Sequence, residues 1–599
     1  MNRRSFAIVL LLVLGGLVRA QTPAQISAKL PVVDDKAEAK AKERRRQIVE
    51  QIGAEVQGLR LAENRAYALA RSGSLICRDD KKAAEALFQR GVNELISAQM
   101  AAESEIRSRP SRLSQQLIRN IRPNVLTMIG TCDGELALDS LYRTRTPGIL
   151  RDLAEQPEPA GGRITDRNSN SSQTAQTELM LEQRLLGLAA QQNPEIAAKV
   201  LQDSIKKGMS PDTLGLLKRL HAKDPETAAS LARETMDRLL SVNFSPDVED
   251  RNEVNLAAAI LNDHIRPVRA GSKDLRFDDA SVRSLAAKYI NYSIAHGSRF
   301  SAAGNLQQAI RIAQSLSPGH VAALRRVERD RRPPTMGPGP GAEAQRLISS
   351  RSTPQQMIAG ANRLSEGDKR QVYQSAAERM ASSGDYQAAL GFLNQNFSGR
   401  ALENAVQALS RRYADLLINQ GKWDEAENLI DQMDDAVRRR ALTDLAKKAY
   451  AKDAAANKDV ALNALRKVRT LLAERPTDND STQNFVQLAI AYAPIDADEA
   501  FALMESTIPV LNDLADANAV VSAFRSDAQV RQGEYVLLPG PAYGFNVDVA
   551  AWRALLKADP ERTSKLIDRF ARQEIRIAVR FQIAIEPPPP PPAPRPVAR

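Results

Sequence analysis

The chain has 599 residues, of which 43% are hydrophobic but only 4% aromatic, and it carries a formal net charge of +11. That length exceeds what one core supports, so several helical blocks or an extended array are expected; abundant alanine and leucine with few rings argue against a sheet-rich fold. A charge this modest, with few aromatic platforms for stacking bases, excludes nucleic acid as the expected partner.

The first twenty residues read as a cleavable secretory signal. Arg3 and Arg4 precede the apolar run Phe6 to Val18, and Val18-Arg19-Ala20 supplies a small-residue cleavage site, predicting processing after Ala20. The run is short for a membrane span, and no second one follows, so the mature protein is expected to be soluble, secreted or periplasmic, without a transmembrane anchor.

Residues 21–155 read as an N-terminal region of amphipathic helices containing the only two cysteines, Cys77 and Cys132. In an exported chain this predicts a disulfide; two separate thiols are the alternative. Residues 156–177 lack apolar periodicity and are rich in turn-forming residues, so a flexible linker is expected there. Residues 178–330 form a middle helical-repeat region. Asn193-Pro194-Glu195 and Asp224-Pro225-Glu226 each supply an N-cap, a proline for the first helical position and a carboxylate at the positive helix end, as does Asp559-Pro560-Glu561 later in the chain. A Pro/Gly linker at 331–342 follows.

The most regular part is 343–585. Apolar residues at Leu402, Val406, Leu409, Tyr413 and Leu416 share one helical face, and after a turn at Gly421 the pattern resumes at Ala426, Leu429, Ile430 and Met433. Second-helix positions recur at Ala389, Ala426, Leu462 and Ala500, close to the period of two-helix solenoid repeats. The turn reads Gly421, Trp423, Ala426 and again Gly384, Tyr386, Ala389, with a looser Gly304, Leu306, Ala309. This resembles the tetratricopeptide hairpin, with departures at Ser410 and Ala414. The expected fold is therefore all-α: helical hairpin repeats forming an α-solenoid, with flexible linkers and a disordered Pro-rich tail. The resemblance implies a scaffold or adaptor binding protein or peptide partners. It also implies that first-helix residues such as Arg411, Arg412 and Asp415 line the inner surface.

An irregular stretch at 533–549 interrupts the array and gathers Tyr535, Tyr543 and Phe545, with Trp552 just beyond. Two readings stay open there: a recognition loop, for which the rings would be binding residues, or a hydrophobic flap sealing the solenoid. Residues 586–599 form a Pro-rich tail expected to be extended and without a core.

Catalytic signatures are absent. The four histidines, His221, His264, His296 and His320, lack metal-ligand spacing, Ser204 and Lys207 form an S-x-x-K without its K-T-G companion, and no phosphate loop or nucleophile elbow occurs. No cofactor, metal or enzymatic activity is expected. Two other classes stay open: attachment to an anionic envelope polymer, and an envelope enzyme whose site is assembled across helices.

Overall fold

The computed structural model describes residues 35–108, 112–154, 166–244, 251–267, 274–296, 303–331, 341–349, 352–524, 530–537 and 549–584. The expected signal, the Pro-rich stretch 586–599 and residues 332–340 lie outside them. Twenty-seven α-helices, one short 3-10 helix at Pro318–His320 and one pair of two-residue strands make up the regular structure of the described residues. The fold is all-α.

The hairpins start and stop where local chemistry dictates. Asn193, Asp224 and Asp559 each accept a hydrogen bond from the backbone N–H three residues on, with proline at the first helical position. Gly384 and Gly421 adopt left-handed φ values of 98° and 81°, a conformation that costs a residue with a Cβ. Ala389, Ala426 and Ala500 are fully buried. At the remaining repeat position the buried small residue is Ala461 rather than Leu462, which stays half-exposed against the same core.

The hairpins are tetratricopeptide-like, and the two departures have a physical account. Tyr386 stacks on Tyr413 of the next helix at 4.7 Å, and its hydroxyl lies 2.9 Å from the Ser410 Oγ, so a small polar residue fills the place of a large ring. Ala414 is buried, as the close approach of helices requires.

Alternate helices form one row. Glu366–Ser382, Gly399–Gln420, Asp435–Lys452, Asn479–Tyr492, Val549–Ala558 and Gln573–Ala584 pack in succession. The row then passes from the last helix of the chain to Ala62–Ile76. From there it continues through Arg112–Gly130, Asp166–Ala189, Asp212–His221, Arg251–His264 and Ala303–Leu316. The C-terminal array thus docks end-on against the N-terminal helices, and the order of packing is a circular permutation of the order in sequence.

Helix Val321–Arg331 packs on Ala303–Leu316 at one end of the row and Ala342–Ser349 on Glu366–Ser382 at the other, and the ten-residue step from Arg331 to Gly341 spans at most about 36 Å. Helices packed at 8–10 Å would make a straight row of this length roughly 100 Å long. The row is therefore curved.

The core is continuous across the seam. One apolar cluster runs from Val49 to Leu324, and a second unites Ile48, Ile52, Val56 and Leu59 with the array as far as Ala584. Helix Ala62–Ile76 serves both, burying Ala66 and Ala70 in the first and Ala68 and Leu69 in the second.

The expected linker at 156–177 requires correction, because helix Asp166–Ala189 begins inside it. Ala175, Glu178, Leu179 and Glu182 are buried at helical spacing. The inward positions include carboxylates, so no apolar stripe announced the helix. Residues 155–165 lie outside the described residues.

Cys77 and Cys132 form a disulfide, their Cα atoms 6.0 Å apart. It ties the end of helix Ala62–Ile76 to the turn after Arg112–Gly130. With the two cysteines 55 positions apart in sequence, reduction is expected to cost about 4 kcal/mol in the chain-entropy account. Denaturation with and without reductant measures this, and two free thiols counted in the folded, unreduced protein would overturn it.

Candidate functional site

The first helices of consecutive hairpins carry a repeated polar face. Arg411, Arg412 and Asp415 stand at the same three places before their C-cap, Gly421, as Thr443, Asp444 and Lys447 before Asp453 and Gln483, Asn484 and Gln487 before Ala493. Interleaved with them, Ala414, Ala446 and Val486 are buried. Helical geometry puts the buried set against the neighbouring helices and leaves the polar set on the adjoining face. Arg411 and Arg412 are exposed and Asp415 half-buried.

Between helices Asp435–Lys452 and Asn479–Tyr492 this face opens into a groove of about 450 Å³. One wall presents Arg439, Arg440, Asp444 and Lys447, the other Gln483, Asn484 and Gln487, and Val468, Leu472 and Leu488 add apolar lining. The side chains of Arg439, Arg440, Asp444 and Lys447 make no hydrogen bond or ion pair with the described residues, although Arg440 and Asp444 stand one helical turn apart. One cation on the second-helix side, Lys467, is engaged instead. Lys467 donates to both Glu427 and Asp431 at 2.7 Å, and its pKa rises through the hydrogen bond it gives Asp431, then the one it gives Glu427.

A second groove of about 440 Å³ lies on the same row between Asp212–His221, Arg251–His264 and Ala303–Leu316, with Asn255, Asn262 and Gln308 among its lining residues. There the lysine is already neutralised, Lys218 being ion-paired to Asp263.

The aromatic residues expected at the interruption fare differently. Tyr535 is fully buried. Its hydroxyl donates to the Ala515 carbonyl at 2.7 Å and accepts from Asn518 at 3.1 Å, while Arg572 lies 5.4 Å from its ring centroid. Trp552 is 1% exposed and packs on Phe570. Neither can meet a partner, so both are corrected from binding residues to core residues; a large ring in a chain poor in aromatics is where burial is most favourable. The hairpin Val530–Arg531/Glu534–Tyr535, turned by Gln532 and Gly533 at positive φ, brings Tyr535 into the seam. Tyr543 and Phe545 lie outside the described residues.

Among the described residues no cluster of His, Cys, Asp or Glu could hold a metal ion, and no helix is long and apolar enough to cross a membrane.

No protein-family model and no curated protein matches the chain. Among solved structures it is similar, at 12% identity over 90% of its length and 96% of the other chain, to a circular tandem repeat protein with novel repeat topology and enhanced subunit contact surfaces, with a TM-score of 0.17. It is also similar to the APC/C hetero-tetramer Cut9–Hcn1, at 14% identity over 84% and 96% of the two chains, with a TM-score of 0.15. Overlaps this small carry no inference about role.

Proposed function

We propose that this is an exported, non-enzymatic scaffold that binds protein or peptide partners on the first-helix face of its C-terminal array. The observation that carries the reading is the groove face itself: Arg411, Arg412, Arg439, Arg440 and Lys447 lie on it without a partner of opposite charge. Unpartnered charges held on a rigid scaffold are available for recognition of a partner of opposite charge. Export is supported by the N-terminal signal and by a disulfide of the kind that persists in oxidising compartments.

The test is affinity capture from the native envelope with the full mature chain. Charge reversal of Arg411 and Arg412 is expected to weaken a saturable, salt-sensitive partner interaction at least about tenfold, or about 1.4 kcal/mol, with helicity unchanged by circular dichroism. Undiminished capture of every partner by that variant would remove the proposed surface. Sedimentation with purified cell wall, abolished by salt and unaffected by the variant, would favour envelope attachment instead.

A further inference from the structure

The groove on the middle region differs in chemistry from the one on the C-terminal array. Helix Arg251–His264 lines it with Asn255, Ala258, Ala259 and Asn262, which stand at the spacing of a single helical face. The side chains of Asn255 and Asn262 make no hydrogen bond with the described residues. Gln308, from the next helix of the row, turns its amide N–H to the Ala258 carbonyl at 3.4 Å and keeps its oxygen open.

The apolar lining is low and the charge is sparse. Leu214 and Ala258 are buried, and a Cβ added at Gly215 on the facing helix would meet nothing within 4 Å. Lys218 and Asp263 neutralise one another. Among the lining residues this leaves one uncompensated charge, that of Arg266, exposed just beyond the helix end.

A sugar ring matches that arrangement, because it has an apolar C–H face and a rim of hydroxyls that both donate and accept. A carboxamide sets a donor beside an acceptor, as neighbouring hydroxyls require. The guanidinium at the end of the groove has the fork geometry that a carboxylate fills. We infer that this groove binds a saccharide carrying a carboxylate, with Asn255, Asn262 and the Gln308 oxygen on its hydroxyls and Arg266 on its acid group. Its volume of about 440 Å³ lies within the roughly 300–1,000 Å³ of small-molecule sites. A short stretch of a glycan therefore fills it. The residues belong to other helices than Arg411 and Arg412, so this site and the proposed interaction face stand or fall separately.

Cellobiouronate, which has one carboxylate, its neutral counterpart cellobiose, and an acetylated, amidated glycine–glutamate dipeptide should each be titrated calorimetrically against the full mature chain. Cellobiouronate is expected to bind saturably and at least about tenfold more tightly than either of the others. Arg266→Gln should reduce its affinity to that of cellobiose. Gly215→Leu, which fills open space with a good helix former, should remove saccharide binding with helicity unchanged. Reversal of Arg411 and Arg412 should leave the titration as it was. Absence of saturable cellobiouronate binding would overturn the inference, and so would an equal affinity for cellobiose or for the dipeptide. Binding that persists in both Arg266→Gln and Gly215→Leu would place the saccharide elsewhere and overturn it as well.

Discussion

Glu178→Ala is expected to destabilise the N-terminal half of the molecule by about 3–5 kcal/mol, the cost of stranding buried cations. Glu178 is 3% exposed. It accepts from Arg122 at 2.6 and 3.0 Å and from Arg145 at 2.7 Å, and Arg145 reaches on to Glu182. Arg122 also donates to the Thr144 hydroxyl at 2.9 Å and the Leu141 carbonyl at 3.0 Å, and the Thr144 carbonyl accepts from Gln99. Four helices and one turn are joined through this cluster. Chemical denaturation is the measurement, and a loss below about 1 kcal/mol would show that water reaches and screens the pair.

The same cluster sets an acid limit. Burial pushes the Glu178 carboxyl upward, but its hydrogen bonds and proximity to Arg122 and then Arg145 prevail and hold it below its ordinary value of 4.5. A depressed carboxylate contributes its full stability above the unfolded value and loses it as pH falls through the folded one. Denaturation midpoints of the native chain should therefore decline below about pH 4.5 more steeply than those of Glu178→Ala.

What could be read from the sequence was whatever is local. Gly421, Trp423 and Ala426 announce a hairpin because turn, ring and close approach are decided within six residues, and Asn193, Asp224 and Asp559 announce helix starts because a cap bonds only three residues ahead. Helix Asp166–Ala189 stayed hidden because its buried face includes Glu178, Glu182 and Gln183. Hydrophobic periodicity cannot see a core position filled by a charge whose partners, Arg122 and Arg145, lie more than thirty residues away. Tyr535 and Trp552 were misplaced for a related reason: an irregular backbone says nothing about which way its rings point. None of Arg411, Arg412 and Asp415 lines the groove; the residues that do, Thr443, Asp444, Lys447 and Gln483, Asn484, Gln487, stand at the same places on the next two first helices and are recoverable by counting back from the helix ends, although residue type changes at each place.

The seam between the two ends of the described chain was not legible at all, since its contacts join residues about 470 to 530 apart, and it yields the second large effect. Asn64 is fully buried. Its amide donates to Glu534 at 2.5 Å and to the Tyr535 carbonyl at 2.7 Å, and its oxygen accepts from the Leu537 N–H at 2.7 Å. Around it Glu534 accepts from the Arg60 N–H at 2.6 Å, and Glu55 binds Arg576 and Arg580 at 2.8 and 2.7 Å. Asn64→Ala removes three hydrogen bonds, one of them to a carboxylate, and leaves their partners buried. A cost of about 4 kcal/mol is expected. Ile52, also fully buried at this joint, gives a stronger variant, because Ile52→Asp places an unpaired charge in the core.

With both changes the hairpins should keep their helicity while the array parts from the N-terminal helices at the seam, so the radius of gyration from small-angle scattering should rise without loss of the far-ultraviolet helix signal. An unchanged radius with intact helicity would mean that the remaining apolar seam suffices to hold the ends together. The native seam should itself respond to pH in the sense opposite to the Glu178 cluster. Burial raises the Glu534 carboxyl above 4.5, and nearby Glu574 adds to the rise, against the hydrogen bonds from Asn64 and Arg60. A raised carboxyl contributes its stability in full below the unfolded value and loses it as pH climbs through the folded one. Closure is therefore expected to be firmer in mild acid than at neutral pH, down to the point where Glu178 begins to protonate.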